Sequence, residues 1–249
     1  MASSKREREL ARRRVERQAA RRAAAEAARR RRRTLLLKTL AGVAALAVAA
    51  GVVALNYDGS KKPSAVKGDC VYNDAEKAVK QVSGKPPTKD VQRTGTKTAT
   101  LQTSRGEVKL SLFADKAPCT VNSFAFLANQ KYFDGTSCHR VTQGGLAVLQ
   151  CGDPSGKGTG GPGYQYADEN LTGATYPKGT VAMANSGAST NGSQFFLVYA
   201  DSQLGPQYTP FGVITEGLDV VAAVGKAGPV SETDVKPKLP ITLTKVTIS

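Results

Sequence analysis

Hydrophobic and polar residues follow four successive patterns along this chain of 249 residues. Residues 1–34 are mostly Arg, Ala and Glu, a composition with almost nothing to bury that is typical of a charged helix or a disordered tail. Residues 35–55 are apolar at all but two positions. Residues 56–96 are rich in Lys, Gly, Ser and Pro and predict a linker with limited structure. Short alternating segments fill residues 97–249, which predicts a domain that is mainly β.

The apolar segment 35–55 is long enough to cross a membrane, because a helix needs about 20 residues to span the hydrocarbon layer. A basic flank stays on the cytoplasmic side, so we expect a single-pass transmembrane anchor or uncleaved signal at the cell membrane, with a cytoplasmic tail 1–34 and an extracytoplasmic domain. A cleaved signal peptide is an alternative, although no Ala-x-Ala site lies directly before Asn56. A buried core helix is another alternative, but nothing beside this segment could cover it.

The net charge of +15 raises the question of nucleic-acid binding. Residues 1–38 hold 15 of the 35 Lys and Arg residues and 4 of the 20 Asp and Glu residues, so they carry +11 of that charge. The rest of the chain is only mildly basic. An arginine-rich tail beside an apolar segment is the pattern of a cytoplasmic flank. We therefore predict that residues 35–55 have the cytoplasmic membrane as their partner, and that nucleic acid is not a partner.

Alternation with a period of two over residues 98–103 and 108–113 predicts a β-hairpin. Pro118 is typical of the first position of a helix, and the apolar residues after it recur at helical spacing. Further short strands are expected at 138–142, 147–151, 180–184, 194–199, 211–215 and 241–248, with a second helix at 218–224 and a short helix at 74–82. Many short strands with two helices predict a closed antiparallel barrel.

The stretch 183–199, MANSGASTNGSQFFLVY, carries the strongest local pattern. Its second half predicts a largely buried strand, and the Gly, Ser and Asn residues before it predict a loop. A period of two places Phe195 and Phe196 on opposite faces, so one can fill a core while the other lines a groove. A loop that brings Asn185 and Gln194 beside an exposed phenylalanine suits an extended peptide. An ordinary strand and turn is the alternative interpretation.

This stretch resembles the signature of the cyclophilin-type peptidyl-prolyl isomerases. Other motifs follow in the order of that family: FDGT at 133–136, HR at 139–140, Gln150, GD at 152–153, the glycine-rich run 156–163, DEN at 168–170, FG at 211–212 and EGLDVV at 216–221. The resemblance runs from about residue 98 to the C-terminus. It implies an eight-stranded barrel capped by two helices. With the basic tail and apolar segment in front, it indicates the bacterial membrane-anchored form.

The resemblance also implies an activity, the cis–trans isomerisation of X-Pro bonds in exported or extracytoplasmic proteins. Proline-containing polypeptides would then be the partners, no cofactor or metal would be needed, and we expect a monomer. Resonance opposes rotation about a peptide bond with a barrier of ~18–20 kcal/mol. When the amide twists, the prolyl nitrogen becomes pyramidal and gains a lone pair. A donor aimed at that nitrogen stabilises the twisted state more than the planar one, which lowers the barrier.

The resemblance assigns three catalytic roles. Arg140 would donate to the prolyl nitrogen, Gln150 would hold the substrate carbonyl and orient the arginine, and the backbone of Asn185 would pair with the substrate. Phe196 aligns with the floor of the proline pocket. The other positions that would bind substrate are Ala147, Val148, Ala184, Gln194, Leu204 and Tyr208. Without this context, Arg140 would be interpreted as a surface ion-pair residue.

The chain departs from the family pattern between Arg140 and Gln150. The turn at 143–146 contains about two extra residues. Ala147 and Val148 stand where the family usually has phenylalanine and methionine, and Gln203 stands where many eukaryotic members have tryptophan. Leu146 could turn toward the pocket and compensate for the apolar surface that is lost at Ala147. These departures support an alternative function, a chaperone module that binds proline-containing peptides with little catalytic turnover.

All four cysteines follow the apolar segment, in a part of the chain where disulfides persist if it lies outside the membrane. Four cysteines allow three pairings. Cys138 and Cys151 lie on strands that we expect to be neighbours, so that pair is geometrically possible, and four unpaired thiols are the alternative. A zinc site is less favoured because no CxxC spacing occurs and His139 is the only histidine. Because no Ser or Asp partner for it is apparent, we interpret His139 as structural.

The run 152–159 imitates a phosphate-binding loop. It fails the pattern, because three residues rather than four separate its glycines and glycine follows the lysine where Ser or Thr is required. We interpret it as a glycine-rich loop, and we interpret the neighbouring acids Asp168 and Glu169 as structural.

Overall fold

The computed structural model describes residues 68–76 and 78–249. The predicted tail 1–34, the predicted anchor 35–55 and the first part of the predicted linker lie outside the described residues. Within the described residues, no helix is long and apolar enough to cross a membrane. The expectations for the tail and the anchor therefore stay predictions.

Eleven strands and two helices make up the described part of the chain. Helix α1 is Pro118–Asn129 and helix α2 is Leu218–Ala227. The strands are β1 (Asn73–Asp74), β2 (Thr96–Thr103), β3 (Gly106–Phe113), β4 (Thr136–Ser137), β5 (Arg140–Val141), β6 (Val148–Cys151), β7 (Tyr164–Gln165), β8 (Thr180–Met183), β9 (Phe195–Val198), β10 (Pro210–Glu216) and β11 (Thr242–Ile248). Both helices begin where the sequence predicts them.

Nine of these strands form one antiparallel sheet, in the order β4-β11-β2-β3-β10-β8-β9-β6-β5. The end strands β4 and β5 are separated in the chain only by Cys138 and His139. Because this connection spans at most about 11 Å, the sheet must curl until its two ends lie close together. The described sheet has nine strands because the pairing is interrupted at Cys138 and His139, and its order shows no ladder between β4 and β5. The structure thus shows a curled antiparallel sheet, and the closed eight-stranded barrel stays a prediction.

The hairpin of β2 and β3 has the predicted alternation. Its register pairs Leu101 with Val108 and Thr103 with Gly106. Leu101 and Val108 are buried on one face, whereas Gln102 on the opposite face is exposed. Because successive side chains of a strand point to opposite faces, one row enters the core and the other meets water.

Helix α1 packs against strands β11 and β3. The ring of Phe124 stacks on Phe133 at a centroid distance of 4.9 Å and meets Phe195 and Phe211 at 5.3 and 5.5 Å. Aromatic pairs of this kind contribute about 0.5–1.5 kcal/mol beyond their burial. Phe126 of the same helix is only partly buried against this core.

A carboxylate from a distant loop holds the N-terminus of α1. The buried Glu169 accepts hydrogen bonds from the backbone N–H groups of Cys119 and Thr120, at 3.1 and 2.8 Å, and from the Thr120 hydroxyl at 2.8 Å. These N–H groups have no partner within the helix, and a negative charge at this end is favourable. Burial raises the pKa of the Glu169 carboxyl, and the bonds from Thr120 and Cys119 oppose that shift. These contacts agree with the structural role predicted for Glu169.

The short helix predicted at 74–82 is wrong, because no helix lies among the described residues of that stretch. Instead, β1 pairs with β7, and the N–H groups of Ala75 and Val79 donate to the carbonyls of Gly163 and Gly161. An α-helix needs each N–H to bond to the carbonyl four residues earlier. Here those donors bond to another segment of the domain, which excludes the helix.

We call residues 69–82 the strap, all but one residue of which the structure describes. Cys70 and Tyr72 of the strap are buried in the main core, and the Tyr72 hydroxyl donates to the carbonyl of Cys119 at 2.9 Å. A disulfide joins Cys70 to Cys119 at the start of α1. The segment predicted as the linker 56–96 therefore has little regular structure in its described part, yet it packs against the domain.

The second disulfide joins Cys138 to Cys151, and so ties the connection between β4 and β5 to the end of β6. This is the pair that the sequence made geometrically possible. The alternative of four unpaired thiols is wrong, because all four cysteines are bonded. The sequence did not predict the pairing of Cys70 with Cys119, since a free linker would not bring them together.

Candidate active site

A chain of side-chain hydrogen bonds, which we call the relay, leads from Arg140 to the glycine-rich loop. The Nη1 of Arg140 donates to Oε1 of Gln150 at 3.1 Å, and Nε2 of Gln150 donates to Oε1 of Gln194 at 2.8 Å. The Nε2 of Gln194 then donates to the carbonyls of Gly158 and Gly160, at 3.0 and 2.9 Å. The relay fixes the direction of both glutamine amides, because each oxygen faces a donor and each nitrogen faces an acceptor.

Arg140 is held at one point and keeps donors for a ligand. It lies opposite Gln150 in the ladder between β5 and β6 and is half-buried. Among the described residues, Gln150 is the hydrogen-bond partner of its guanidinium, which has five N–H donors. The disulfide of Cys138 with Cys151 flanks this pair, two positions before Arg140 and one position after Gln150. The backbone that carries the two side chains is therefore cross-linked beside them.

Strand β9 separates two apolar clusters. Phe195 belongs to the main core with Phe124 and Phe133, whereas Phe196 belongs to a second, smaller cluster. That second cluster, which we call the pocket cluster, consists of Val148, Tyr176, Ala182, Phe196 and Val198, with Leu146, Ala174, Ala184, Leu204 and Tyr208 packed against it. The prediction that the two phenylalanines serve opposite faces is confirmed.

Two tyrosines form a wall of the pocket cluster. The Tyr208 ring meets Phe196 edge-on at 5.5 Å, and Tyr176 lies 6.3 Å from Tyr208. The Tyr176 hydroxyl donates to the Tyr208 carbonyl at 2.6 Å and accepts from the Tyr208 N–H at 3.1 Å. Burial raises the pKa of Tyr176, so it stays a neutral donor. The sequence analysis missed Tyr176 because it lies in an irregular segment without periodicity. The one sequence signal at this position is the proline that follows it.

The longer turn brings Leu146 to the pocket cluster. Leu146 is partly buried against that cluster, as we expected, whereas Ala147 is buried and donates its N–H to the Ser202 hydroxyl at 2.9 Å. The N–H of Gln203 donates to the carbonyl of Gly145 at 2.8 Å, and the Gln203 side chain is exposed. The altered turn and the altered loop are therefore bonded to each other, and the leucine supplies apolar surface beside the small Ala147.

The Asn185 loop has an unpaired backbone edge. The Nδ2 of Asn185 donates to the Gln207 carbonyl at 2.7 Å, and Asp168 accepts from the Ser189 N–H at 2.8 Å and from Asn191 Nδ2 at 2.9 Å. These bonds hold the loop, in agreement with the structural role predicted for Asp168. Among the described residues, the backbone N–H and C=O of Asn185 have no hydrogen-bond partner. They are therefore available to pair with an extended peptide.

The glycine-rich loop is organised by Asp153. Its buried carboxylate accepts hydrogen bonds from the N–H groups of Ser155, Lys157, Gly158 and Gly160, at 2.7, 3.2, 2.6 and 3.1 Å. Burial alone would raise the pKa of Asp153, but a hydrogen bond from the Ser155 hydroxyl at 2.8 Å and the bonds from these N–H groups outweigh it and lower the pKa. The N–H groups that would hold a phosphate are bonded to this carboxylate, which supports the interpretation as a glycine-rich loop.

His139 lies behind Arg140 in a buried position. Burial lowers the pKa of His139, Asp153 opposes that shift and Arg140 adds to it. Neither ring nitrogen has a hydrogen-bond partner within the described residues. A Cβ atom built on Gly158 would lie 3.4 Å from the imidazole, so the ring lies beside the glycine-rich loop. A neutral ring without partners agrees with the predicted structural role.

The structure places the predicted site residues in two groups, with one exception, and the groups meet where Gln150 pairs with Phe196 in the ladder of β6 with β9. The relay contains Arg140, Gln150 and Gln194, and the pocket cluster contains or contacts Val148, Ala184, Phe196, Leu204 and Tyr208. A cavity beside the relay is lined by Gln150, Gln194, Ala184 and Asn185. Ala147 is the exception, because it belongs to neither the relay nor the pocket cluster.

Comparison with known proteins adds an independent finding. Residues 98–248 match the sequence model of the family described as cyclophilin type peptidyl-prolyl cis-trans isomerase/CLD. The chain is 47% identical over 206 residues to the probable peptidyl-prolyl cis-trans isomerase B of Mycobacterium tuberculosis. The match covers 74% of this chain and 66% of that protein, just under two thirds of its length. Because 74% of the chain is more than residues 98–248 supply, the similarity extends upstream of residue 98.

A shorter relative and a solved structure agree with this. The peptidyl-prolyl cis-trans isomerase A of Mycobacterium tuberculosis is 38% identical over 173 residues, and the match covers 62% of this chain and 93% of that protein. The fold resembles the crystal structure of a Cryptosporidium parvum cyclophilin type isomerase, with a TM-score of 0.57 and 28% identity over 62% of this chain and 98% of that chain. This chain therefore belongs to the family of cyclophilin-type peptidyl-prolyl cis-trans isomerases.

Proposed function

We propose that this protein is a peptidyl-prolyl cis-trans isomerase that acts on X-Pro bonds of exported or extracytoplasmic proteins. The observation that carries the proposal is the relay of Arg140, Gln150 and Gln194 beside the pocket cluster around Phe196. The names of the relatives support it, as does a second structure of the Cryptosporidium parvum protein that was determined in the presence of the dipeptide Ala-Pro.

In this proposal each half of the site has its own task. The proline ring packs against Phe196, with Leu146, Leu204 and Tyr208 around it. The backbone next to the proline pairs with the free N–H and C=O of Asn185. Because both ends of the X-Pro bond are then held, the twist is confined to the bond itself. Binding that fits the twisted bond better than the planar one accelerates the exchange.

Arg140 supplies the step that lowers the barrier. As the amide twists, the prolyl nitrogen gains a lone pair, and a guanidinium N–H donates to it. The relay holds the guanidinium before the substrate arrives, so little reorganisation is needed at the moment of rotation. The reaction forms and breaks no covalent bond, so these side chains need only bind, orient and donate.

The test is a protease-coupled prolyl-peptide assay on the full chain. A piece starting at residue 96 would lack Cys70 and Tyr72, which are buried in the core. We expect the parent to accelerate the exchange, and we expect Arg140→Ala to lose about 10²–10³-fold in kcat/KM, since loss of one such donor costs about 2.7–4 kcal/mol. Arg140→Lys keeps the charge without the planar fork and should retain part of the activity. Equal activity of Arg140→Ala and parent would remove Arg140 from the mechanism.

Peptide binding with little turnover is the second candidate function. The observation that favours it is Ala147, which is buried where the family usually has a pocket phenylalanine. The same assay separates the two candidates when peptide binding is measured by calorimetry alongside it. Tight binding without any acceleration by the parent would favour the chaperone module over the isomerase.

We propose further that the domain works outside the cytoplasmic membrane as a monomer, anchored through residues 35–55. The basic flank 1–34 and the apolar length of 35–55 support this orientation. The two disulfides support it as well, because such bonds persist in oxidising compartments. Protease added to intact protoplasts should digest the domain, whereas protection of the domain would reverse the topology.

A further inference from the structure

A cavity of about 870 Å³ opens beside the relay. Gln150 and Gln194 line it on the side of the proposed site, and Ala75, Glu76 and Val79 of the strap line another side. We propose that the strap makes this cavity a subsite selective for a basic side chain next to the prolyl bond, and that Glu76 is the residue that selects it. The inference rests on the proposed isomerase function and adds the strap to its binding surface.

The strap is a fixed wall of the cavity. Besides the ladder with β7 and the disulfide to α1, the ammonium group of Lys80 donates to the carbonyls of Lys131, Tyr132 and Asp134, at 2.7, 2.9 and 3.1 Å. These carbonyls follow the end of α1, where a cation is favourable. The strap is thereby held at its start, in its middle and near its end. A wall held in this way can contribute to specificity, because it does not have to be ordered when the substrate binds.

The strap wall also contacts the loop that holds the relay. A Cβ atom built on Gly160 would lie 2.5 Å from Cγ2 of Val79, so the Val79 side chain rests on this glycine. The Gly160 carbonyl accepts from Gln194 at 2.9 Å. Strap, loop and relay are thus in direct contact, and a ligand in the cavity would touch all three.

The free backbone edge of the site leads into the same cavity. Ala184 and Asn185 line it, and the backbone N–H and C=O of Asn185 have no partner within the described residues. A peptide paired with this edge is extended, so its successive side chains point to opposite sides. One side chain near the proline would therefore enter the cavity while its neighbour faces away.

The lining of the cavity matches a long basic side chain. Val79 and Pro162 supply apolar surface for an aliphatic stem, and the exposed carboxylate of Glu76 has no ion-pair partner within the described residues. Lysine and arginine pack their stems on apolar surface while the charged head reaches outward. Lys157 lies on the glycine-rich loop of the same cavity, and its charge would oppose a basic side chain placed near it. The favourable position for the charged head is therefore the strap side, at Glu76.

The test uses the full chain and prolyl peptides that carry Ala, Lys or Glu at each of the three positions before and after the proline. We expect the parent to have an about threefold higher kcat/KM for Lys than for Glu at one of these positions, the size typical of an exposed charge pair. Glu76→Gln should remove this preference and leave the Ala peptide unchanged, and Glu76→Lys should reverse it. Glu107→Gln is the matched control, since it removes an exposed glutamate on β3 that does not line the cavity.

Binding of the same peptides by calorimetry gives a second readout that needs no turnover. A preference for Lys that survives Glu76→Gln, or no preference in the parent at any position, would overturn the subsite even with full activity toward the Ala peptide. An inactive parent would instead contradict the proposed isomerase function. In that case the affinities for the Lys and Glu peptides still decide the subsite.

Discussion

The apolar half and the polar half of the site are built in different ways. Four of the five buried residues of the pocket cluster around Phe196 lie on strands β6, β8 and β9, and their side chains pack against one another. The polar half starts on β5 and β6 but depends on Gln194 and two loop carbonyls, with one or two hydrogen bonds at each step. Substitutions in the apolar half should therefore act through lost packing, and substitutions in the polar half should act through the misplacement of Arg140 and Gln150. Four predictions test this contrast.

The largest effects should come from the two phenylalanines of β9. Phe195→Ala should lower the free energy of unfolding by about 3–5 kcal/mol, because its ring packs edge-on against both Phe124 and Phe133 in the main core. Phe196 belongs to the smaller pocket cluster. Phe196→Ala should therefore lower stability less than Phe195→Ala does, but should lower kcat/KM for prolyl peptides more. Urea denaturation of the oxidised protein and the peptide assay measure both effects. If the two variants lose stability and activity in the same proportion, the separation of core from pocket is wrong.

Asp153→Ala should destabilise the polar half as a unit. The substitution leaves four loop N–H groups without their acceptor, and an unsatisfied buried donor costs about 1–3 kcal/mol. Because the same loop supplies the carbonyls that hold Gln194, kcat/KM should fall as well. Asp201→Ala is the matched control, an exposed aspartate that accepts from the Lys178 N–H. Lost stability with unchanged kcat/KM would show that the loop does not position the relay.

Gln194→Ala should change the geometry of the relay and leave the stability of the fold almost unchanged. It removes the acceptor for Gln150, and loss of one hydrogen bond of about 0.5–1.5 kcal/mol lowers kcat/KM by up to about tenfold. The side chain is half-buried at the cavity, so thermal unfolding should change little. Gln203→Ala, which truncates an exposed glutamine of a neighbouring loop, should change neither quantity. A large drop in melting temperature for Gln194→Ala would contradict the contrast.

The smallest effect should be the contribution of His139 to the pH dependence of stability. Burial lowers its pKa in the folded state, whereas the unfolded histidine binds a proton near pH 6.5. Between the pKa of the folded state and that of the unfolded state, the unfolded state binds more protons. The contribution of the neutral, buried His139 to stability is therefore complete above pH 6.5 and is lost as the pH falls below it. The advantage of parent over His139→Phe should therefore shrink from pH 7.5 to pH 5.5, as measured by urea denaturation. A constant difference would show that His139 does not titrate in this way.

Local sequence patterns predicted the elements whose own side chains determine them. The hairpin β2–β3 and both helices begin or lie where alternation, Pro118 and helical spacing indicated. The opposite roles of Phe195 and Phe196 follow from the period of two. The strap was misjudged because its order comes from partners elsewhere in the chain, which no local pattern reports. Tyr176 was missed as a supporting residue for the same reason, because its hydroxyl is bonded to the distant Tyr208.

By itself, then, the sequence determined which residues alternate, where the helices begin, and which motifs resemble the cyclophilin family. Only the tertiary structure decided what those residues touch. It paired Cys70 with Cys119, placed nine strands in one curled sheet, bonded Gln194 to the carbonyls of Gly158 and Gly160, and brought Glu76 to the cavity that Gln150 and Gln194 also line. The physical reason is that periodicity acts over a few residues, whereas these contacts join segments tens of residues apart, and their partners become apparent only when the chain is folded.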